Sequence, residues 1–243
     1  AVAIEFRSKE PMKWWRQLWD VVYSVASTMM GFLLGVVLGN VLRGMAIDEN
    51  FLYRDSWLHF LNPYALAVGL TTLALFMMHG AIYLTLKTEG RLFEKVNRLL
   101  RRAILFFLVS FAIVTVLSLI FMPHLSDRFK ELPWLFVVPL LAFLSIANIP
   151  RLISKQRYRL AFIFSSITVA LLLMLVAIEL YPVLILSTVD PAFNITIYNA
   201  ASSERSLGIM LLIAAIGAPL VLSYTAFVFY TFRGKVKLDE TSY

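Results

Sequence analysis

A single histidine, His79, sits well inside an apolar run of this 243-residue chain. An imidazole in such a setting can ligate a haem iron, pass a proton, or join two helices by a hydrogen bond. At helical spacing Thr72, Phe76, His79 and Tyr83 share one face, with Gly69 and Gly80 beside it. A haem bound there would need either an open-site function or a second axial His or Met. The other two histidines, His59 and His124, fall in connecting segments. Met77 and Met78 are near in sequence, but methionine usually fills apolar gaps. For His79 the expectation is therefore a hydrogen bond inside a helical bundle, ahead of haem ligation.

The carboxylates are placed at the edges. Asp20 opens the first apolar run one turn after Arg16, which suggests an ion pair at the membrane boundary. Glu179 lies about 20 residues after Arg159 and just before Tyr181-Pro182, so it is expected near the outer boundary. A proton relay is one reading of Glu179; a boundary carboxylate hydrogen-bonded within the bundle is the favoured one. Cysteine is absent, which excludes disulfides, thiolate metal sites, iron–sulfur clusters and c-type haem attachment. No Ser/His/Asp arrangement, phosphate-binding glycine loop or carboxylate cluster is present. No catalytic, cofactor-binding or metal-binding residue is therefore assigned to this chain.

The elements that carry these residues follow from hydropathy. The chain is 60% hydrophobic with a mean hydropathy of +0.79, above the apolar share of ordinary soluble domains. Runs of about 20 apolar residues define an all-α, polytopic transmembrane bundle forming a single membrane domain over residues 1–243. Six spans are expected, at about 17–41, 63–86, 103–122, 134–149, 160–183 and 207–232. The fourth is short and contains Pro139, so a tilt or kink is expected there. In the last, Ser223, Tyr224 and Thr225 follow Pro219 and could compensate for a kink.

Lys and Arg alternate by side. Seventeen fall in the N-terminal segment, the connections at 87–102 and 151–159, and the C-terminal tail; five fall in the other three connections. The positive-inside rule then makes both termini cytoplasmic. The net charge of +7 is accounted for by topology, with no role for nucleic acid. Trp14, Trp15, Trp19, Trp57 and Trp134 fall at span ends, as interfacial anchors do. The stretch 91–102 is amphipathic, with Leu92, Phe93, Val96, Leu99 and Leu100 on one face; it reads as an interfacial connector, ahead of a headgroup- or partner-binding helix. The sequon at Asn194-Ile195-Thr196 is discounted as a chance match. Ala1 is not an initiator methionine, so the chain is expected to begin within a longer protein.

In the first span Gly31, Gly35 and Gly39 recur every four residues, and Ser24 and Thr28 extend the stripe backwards. In a soluble helix each glycine would cost roughly 1 kcal/mol against alanine. In a bilayer, small residues at i, i+4 let a second helix come close. The stripe is expected to be a packing surface for assembly.

Several stretches resemble subunit II of the cytochrome bd-type quinol oxidases. They are Val2-Ala3-Ile4-Glu5-Phe6-Arg7-Ser8-Lys9, Leu18-Trp19-Asp20, residues 39–44 and residues 61–66, then His79-Gly80-Ala81, residues 86–90, 196–203 and 219–226. They run in order along almost the whole chain. The resemblance implies a subunit of a bacterial inner-membrane complex that oxidises quinol and reduces O2 to water. It places the two b-type haems, the d-type haem and the quinol-oxidising site in subunit I, with subunit II as its haem-free pseudosymmetric partner. A structurally bound quinone and a third, single-helix subunit are left open. That family has nine helices in subunit II; the six spans here would be the last six, about the C-terminal two-thirds. The first three carry acidic residues thought to serve a proton route, so that role falls on no residue here. Two alternatives stand beside this reading: a permease domain for a small solute, and an autonomous b-type cytochrome.

Overall fold

The computed structural model describes residues 2–122 and 127–235; His124 and Lys237 lie outside them. Among the described residues, six helices are long and apolar enough to cross a membrane. In chain order the described helices are α1 (Val2–Arg7), α2 (Lys13–Arg43), α3 (Pro63–Lys87), α4 (Gly90–Phe121), α5 (Asp127–Glu131), α6 (Val137–Ser154), α7 (Tyr158–Leu180) and α8 (Glu204–Thr231). A 3-10 turn, Pro133–Phe136, leads into α6.

Local chemistry sets the helix starts. Pro63 opens α3, where a missing N–H costs nothing, and the Asn62 side chain accepts the Ala65 amide at 2.9 Å. Ser203 caps α8 by accepting the Ser206 amide. The fourth span is longer than its expected 134–149, because the turn at Pro133 and the last helical turn to Ser154 extend it. Pro139 falls in the first turn of α6, where no intrahelical donor is lost.

Two expectations are corrected. The stretch 91–102 does not lie in the interface as a separate connector: it is the first part of α4, continuous with the third span. Thirty-two residues at 1.5 Å each give α4 a length of about 48 Å, well beyond a hydrocarbon core of about 30 Å. Its packed edge is also narrower than the periodicity suggested. Val96 and Leu100 are buried and Phe93 half-buried, but Leu92 and Leu99 are exposed. Asp20, for its part, pairs with Arg7 at 2.6 Å and not with Arg16. Helix α1 folds back along the start of α2, with Phe6 against Trp19 and the Trp15 indole donating to the Phe6 carbonyl at 2.7 Å.

The core lies where α3, α4, α6 and α7 meet. Met78 and Ile82 of α3, Leu100 and Phe107 of α4, Ile149 of α6 and Ala161 of α7 are essentially sealed from solvent. Helix α2 packs on the far side of α3. Helix α8 stands apart and has no buried residue.

The glycine stripe explains the α2–α3 contact. A β-carbon at Gly35 would stand 2.6 Å from Thr72 Cβ and 2.7 Å from the Gly69 Cα. One at Gly39 would stand 2.7 Å from the Ala65 Cα, and one at Gly69 2.8 Å from Val36 Cγ2. At Gly35 and Gly39 the obstacle includes the main chain of α3, which side-chain rotation cannot move. Towards the basic end the helices part: Gly31 meets only the Phe76 and Leu73 side chains, from 3.3 Å, and Gly80 has nothing within 4 Å. Ser24 and Thr28 are accordingly exposed, and Ser24 donates to the Asp20 carbonyl of its own helix. The close contact is thus confined to the half of the stripe nearer Asn40.

The connections at the end of the bundle opposite the basic ones form a small cap. Strands β1 (Val183–Ile185) and β2 (Ile195–Thr196) pair antiparallel. The Met45 amide donates to the Leu186 carbonyl at 2.8 Å, and the Ser187 hydroxyl to the Ile47 carbonyl at 2.8 Å. The Leu52 amide, then Arg54, hold the Asp48 carboxyl below the usual carboxylate range. Asn194 of the sequon uses its side-chain oxygen to accept the Ser187 amide at 2.7 Å. Replacing Gly35 by Ala should force α2 off α3 and cost about 1–3 kcal/mol, as overpacking does. Thermal unfolding in detergent should show a clear fall in midpoint for Gly35→Ala and none for Gly80→Ala.

Candidate functional site

His79 is carried by α3 to face α7. Its Nδ1 lies 2.9 Å from the Ser165 hydroxyl, and its ring stacks on Phe162 at 5.0 Å. Ser165 is fully buried and donates its one proton to the Phe162 carbonyl at 2.8 Å. With the Ser165 proton directed to that carbonyl, the shared bond takes its proton from His79 Nδ1. The neighbouring buried hydroxyls follow the same rule. Thr168 lies 2.9 Å from the Phe164 carbonyl and 3.1 Å from Ser145, and Ser145 donates to that same carbonyl at 2.9 Å. These bonds join α3, α6 and α7 in one polar seam through an otherwise apolar core.

The expected His79 face is split between two neighbours. Tyr83 follows His79 onto Phe162, with ring centroids 5.7 Å apart. Thr72 and Phe76 turn instead to Gly35 and Gly31 of α2. Glu179 is the penultimate residue of α7 and half-buried. Fourteen residues beyond Ser165, it stands about 21 Å further along the helix. Asp20 is on α2 beside α1. The four polar candidates therefore make no common centre. Ser165 and Ser145 were missed as partners because 86 and 19 residues separate them from the groups they bind; small polar residues in strongly apolar runs were the available signal.

The surroundings of His79 do not fit a haem bound through two axial ligands. One ring nitrogen is held by Ser165, one ring face is covered by Phe162, and His59 sits in the cap paired with Asp55. That pairing holds the Asp55 carboxyl below its ordinary range, chiefly through the hydrogen bond from His59. Among the described residues no group of three or more His, Asp or Glu could hold a metal ion.

Fold and site together define an integral-membrane, multi-pass helical subunit whose polar groups join helices. The sequence model of the cytochrome bd terminal oxidase subunit II family matches residues 1–232, and the chain belongs to that family. It is 25% identical over 269 aligned residues to "Cytochrome bd-I ubiquinol oxidase subunit 2" of Escherichia coli (strain K12), across 98% of this chain and 71% of that protein. It is 27% identical to "Cytochrome bd ubiquinol oxidase subunit 2" of Bacillus subtilis (strain 168), across 98% and 70%. Its fold matches a chain of the bd oxidase from Geobacillus thermodenitrificans with a TM-score of 0.66 at 20% identity, over 87% of this chain. The present chain spans 64% of that solved chain's length.

Ser165→Ala should leave the His79 donor without its partner inside the bundle. A loss of about 1 kcal/mol is expected, at the scale of interhelical hydrogen bonds in membranes. A lowered unfolding midpoint, absent in Ser166→Ala on the exposed side of the same helix, would register it.

Proposed function

We propose that this chain is the haem-free subunit of a bd-type quinol oxidase in the bacterial cytoplasmic membrane. The complex would oxidise quinol, release its protons, and use four electrons and four protons to reduce O2 to two waters. The family match across residues 1–232 carries this reading, and it stands in place of the permease alternative. The b- and d-type haems and the quinol-oxidising site belong to the partner, subunit I. The present chain stabilises that partner, shields it from lipid and water, and helps to form routes for O2 and protons.

The way its helices are disposed supports the assignment. Helix α8 buries none of its 28 residues within the chain. Gly208 and Gly217 of α8 have nothing within 4 Å of an added β-carbon. Small residues left uncovered on a membrane helix suit close approach by a helix of another subunit. Among the described residues its C-terminal end is tied by Lys87, which donates to the Phe232 carbonyl at 2.9 Å, and by the Lys235–Glu89 pair at 3.4 Å. We assign α8 to contact with the haem-bearing subunit, and both termini to the cytoplasm on the strength of the basic connections.

Affinity capture of the tagged chain from mild-detergent membranes should bring down a partner that carries the absorption of b- and d-type haems. Capture without any haem protein would sink the assignment. The chain purified away from that partner should show no Soret band. For the topology, a cysteine at Ser203 should react with impermeant reagents added outside, while one at Lys95 should be protected; the reverse pattern would overturn the orientation.

A further inference from the structure

At the basic end of the bundle, the start of α4, the α6–α7 turn and the chain after α8 enclose an open cleft of about 740 Å³. That is within the range of small-ligand sites, and none of its described lining residues is acidic. Its floor is aromatic. Tyr83 meets Phe162 at 5.7 Å between ring centroids, and Phe93 meets Tyr158 edge-on at 5.5 Å. Its rim is cationic, formed by Lys87, Arg157, Arg159 and Lys235.

These four cations are not equivalent. Lys235 pairs with Glu89, while Lys87 donates to the Phe232 carbonyl and lies over the Tyr83 ring at 5.8 Å. Arg157 and Arg159 are exposed and form no ion pair among the described residues. They also flank the beginning of α7, where Arg157 occupies the cap position without a side-chain capping bond. The first amides of α7, at Tyr158, Arg159 and Leu160, belong to residues that line the cleft. Amides at this position have no intrahelical acceptor and favour an anion. Two unpaired guanidiniums beside uncapped amides present the donor set for phosphate oxygens.

The aromatic floor decides what carries that phosphate. Tyr83 and Phe162 belong to membrane-spanning helices, so the floor leads from the rim towards the bilayer. A free phosphate would leave this apolar surface unused, whereas an amphiphile would cover it with the first part of its tails. We infer that the cleft seats the phosphate of an anionic phospholipid from the leaflet at the basic end. Arg157, Arg159 and the α7 amides hold the headgroup; Tyr83, Phe93, Tyr158 and Phe162 hold the glycerol and upper acyl region. This site rests on the cleft alone, so failure to capture a haem partner would leave it standing.

The test is native mass spectrometry of the full chain, purified with whatever co-purifies, after titration with phosphatidylglycerol, phosphatidylcholine or inorganic phosphate. The wild type should retain phosphatidylglycerol about tenfold better than phosphatidylcholine. Combining Arg157→Gln with Arg159→Gln should lower phosphatidylglycerol retention by about tenfold or more, as loss of two basic contacts to an anionic lipid predicts. The exposed pair Arg101→Gln with Arg102→Gln, outside the cleft, should leave retention unchanged. Equal losses in both double variants would reduce the effect to general surface charge and overturn the site. Equal retention of the two lipids would overturn it without recourse to any variant. Displacement of the lipid by inorganic phosphate at comparable concentration would reassign the cleft to the free anion.

Discussion

The bundle depends on how closely two backbones approach. Between Gly35 and Gly69, and again between Gly39 and Ala65, α2 and α3 are separated by little more than their own main chains. In lipid there is no hydrophobic gain from bringing two apolar helices together, because the acyl chains are equally apolar. Dispersion contacts at close range must supply the attraction, and they weaken steeply with small gaps. The small residues at this crossing therefore set the position of α2, and through it the cap at that end of the bundle. Asn40, one residue beyond Gly39, shows the coupling: its amide donates to the Val36 and Phe60 carbonyls at 2.9 Å, and its oxygen accepts from Asn62.

A second system operates on the other side of α3. There, hydroxyls and one imidazole replace glycines as the means of joining helices. Each of these groups would be costly in an apolar interior without a partner. The chain provides one for each: Ser145 and Thr168 meet over the Phe164 carbonyl, and Ser165 stands between His79 and the Phe162 carbonyl. Helix α3 is thus held by close packing on one flank and by directional bonds on the other. The first tolerates no added volume; the second tolerates no lost donor or acceptor.

Much of this was legible in the sequence, for physical reasons that differ by element. Bilayer thickness imposes span length, so α2, α3, α7 and α8 begin and end within a few residues of the apolar runs. The small-residue stripe identified a helix meant for close contact, but it carries no information about which helix answers it. On α3 the stripe is met by Ala65 and Gly69, four residues apart. The continuity of α4 was obscured by its charge, since Arg91, Arg98, Arg101 and Arg102 look like a loop to any hydropathy argument. They are the part of one long helix that clears the membrane. The Arg7–Asp20 pair was obscured by distance along the chain, because a reversal at residues 8–12 was needed to place α1 beside α2. The bond from His79 to Ser165 was hidden in the same way, with only the rarity of polar residues to mark its members.

Helix α8 separates two events that soluble proteins perform together. Apart from the bond that Pro219 cannot donate, its backbone bonds lie within the helix, so crossing the bilayer needs little from a neighbour. Its lateral position is a different matter, because the described core of its own chain buries none of its 28 residues. Secondary structure here is complete before tertiary structure has begun. Selection on the α8 surface therefore acts through whatever lies next to it in the membrane, while selection on α3 acts through the chain itself. The two helices, similar in length and hydropathy, should record different histories: one constrained by its own fold, the other free to change in step with a neighbour.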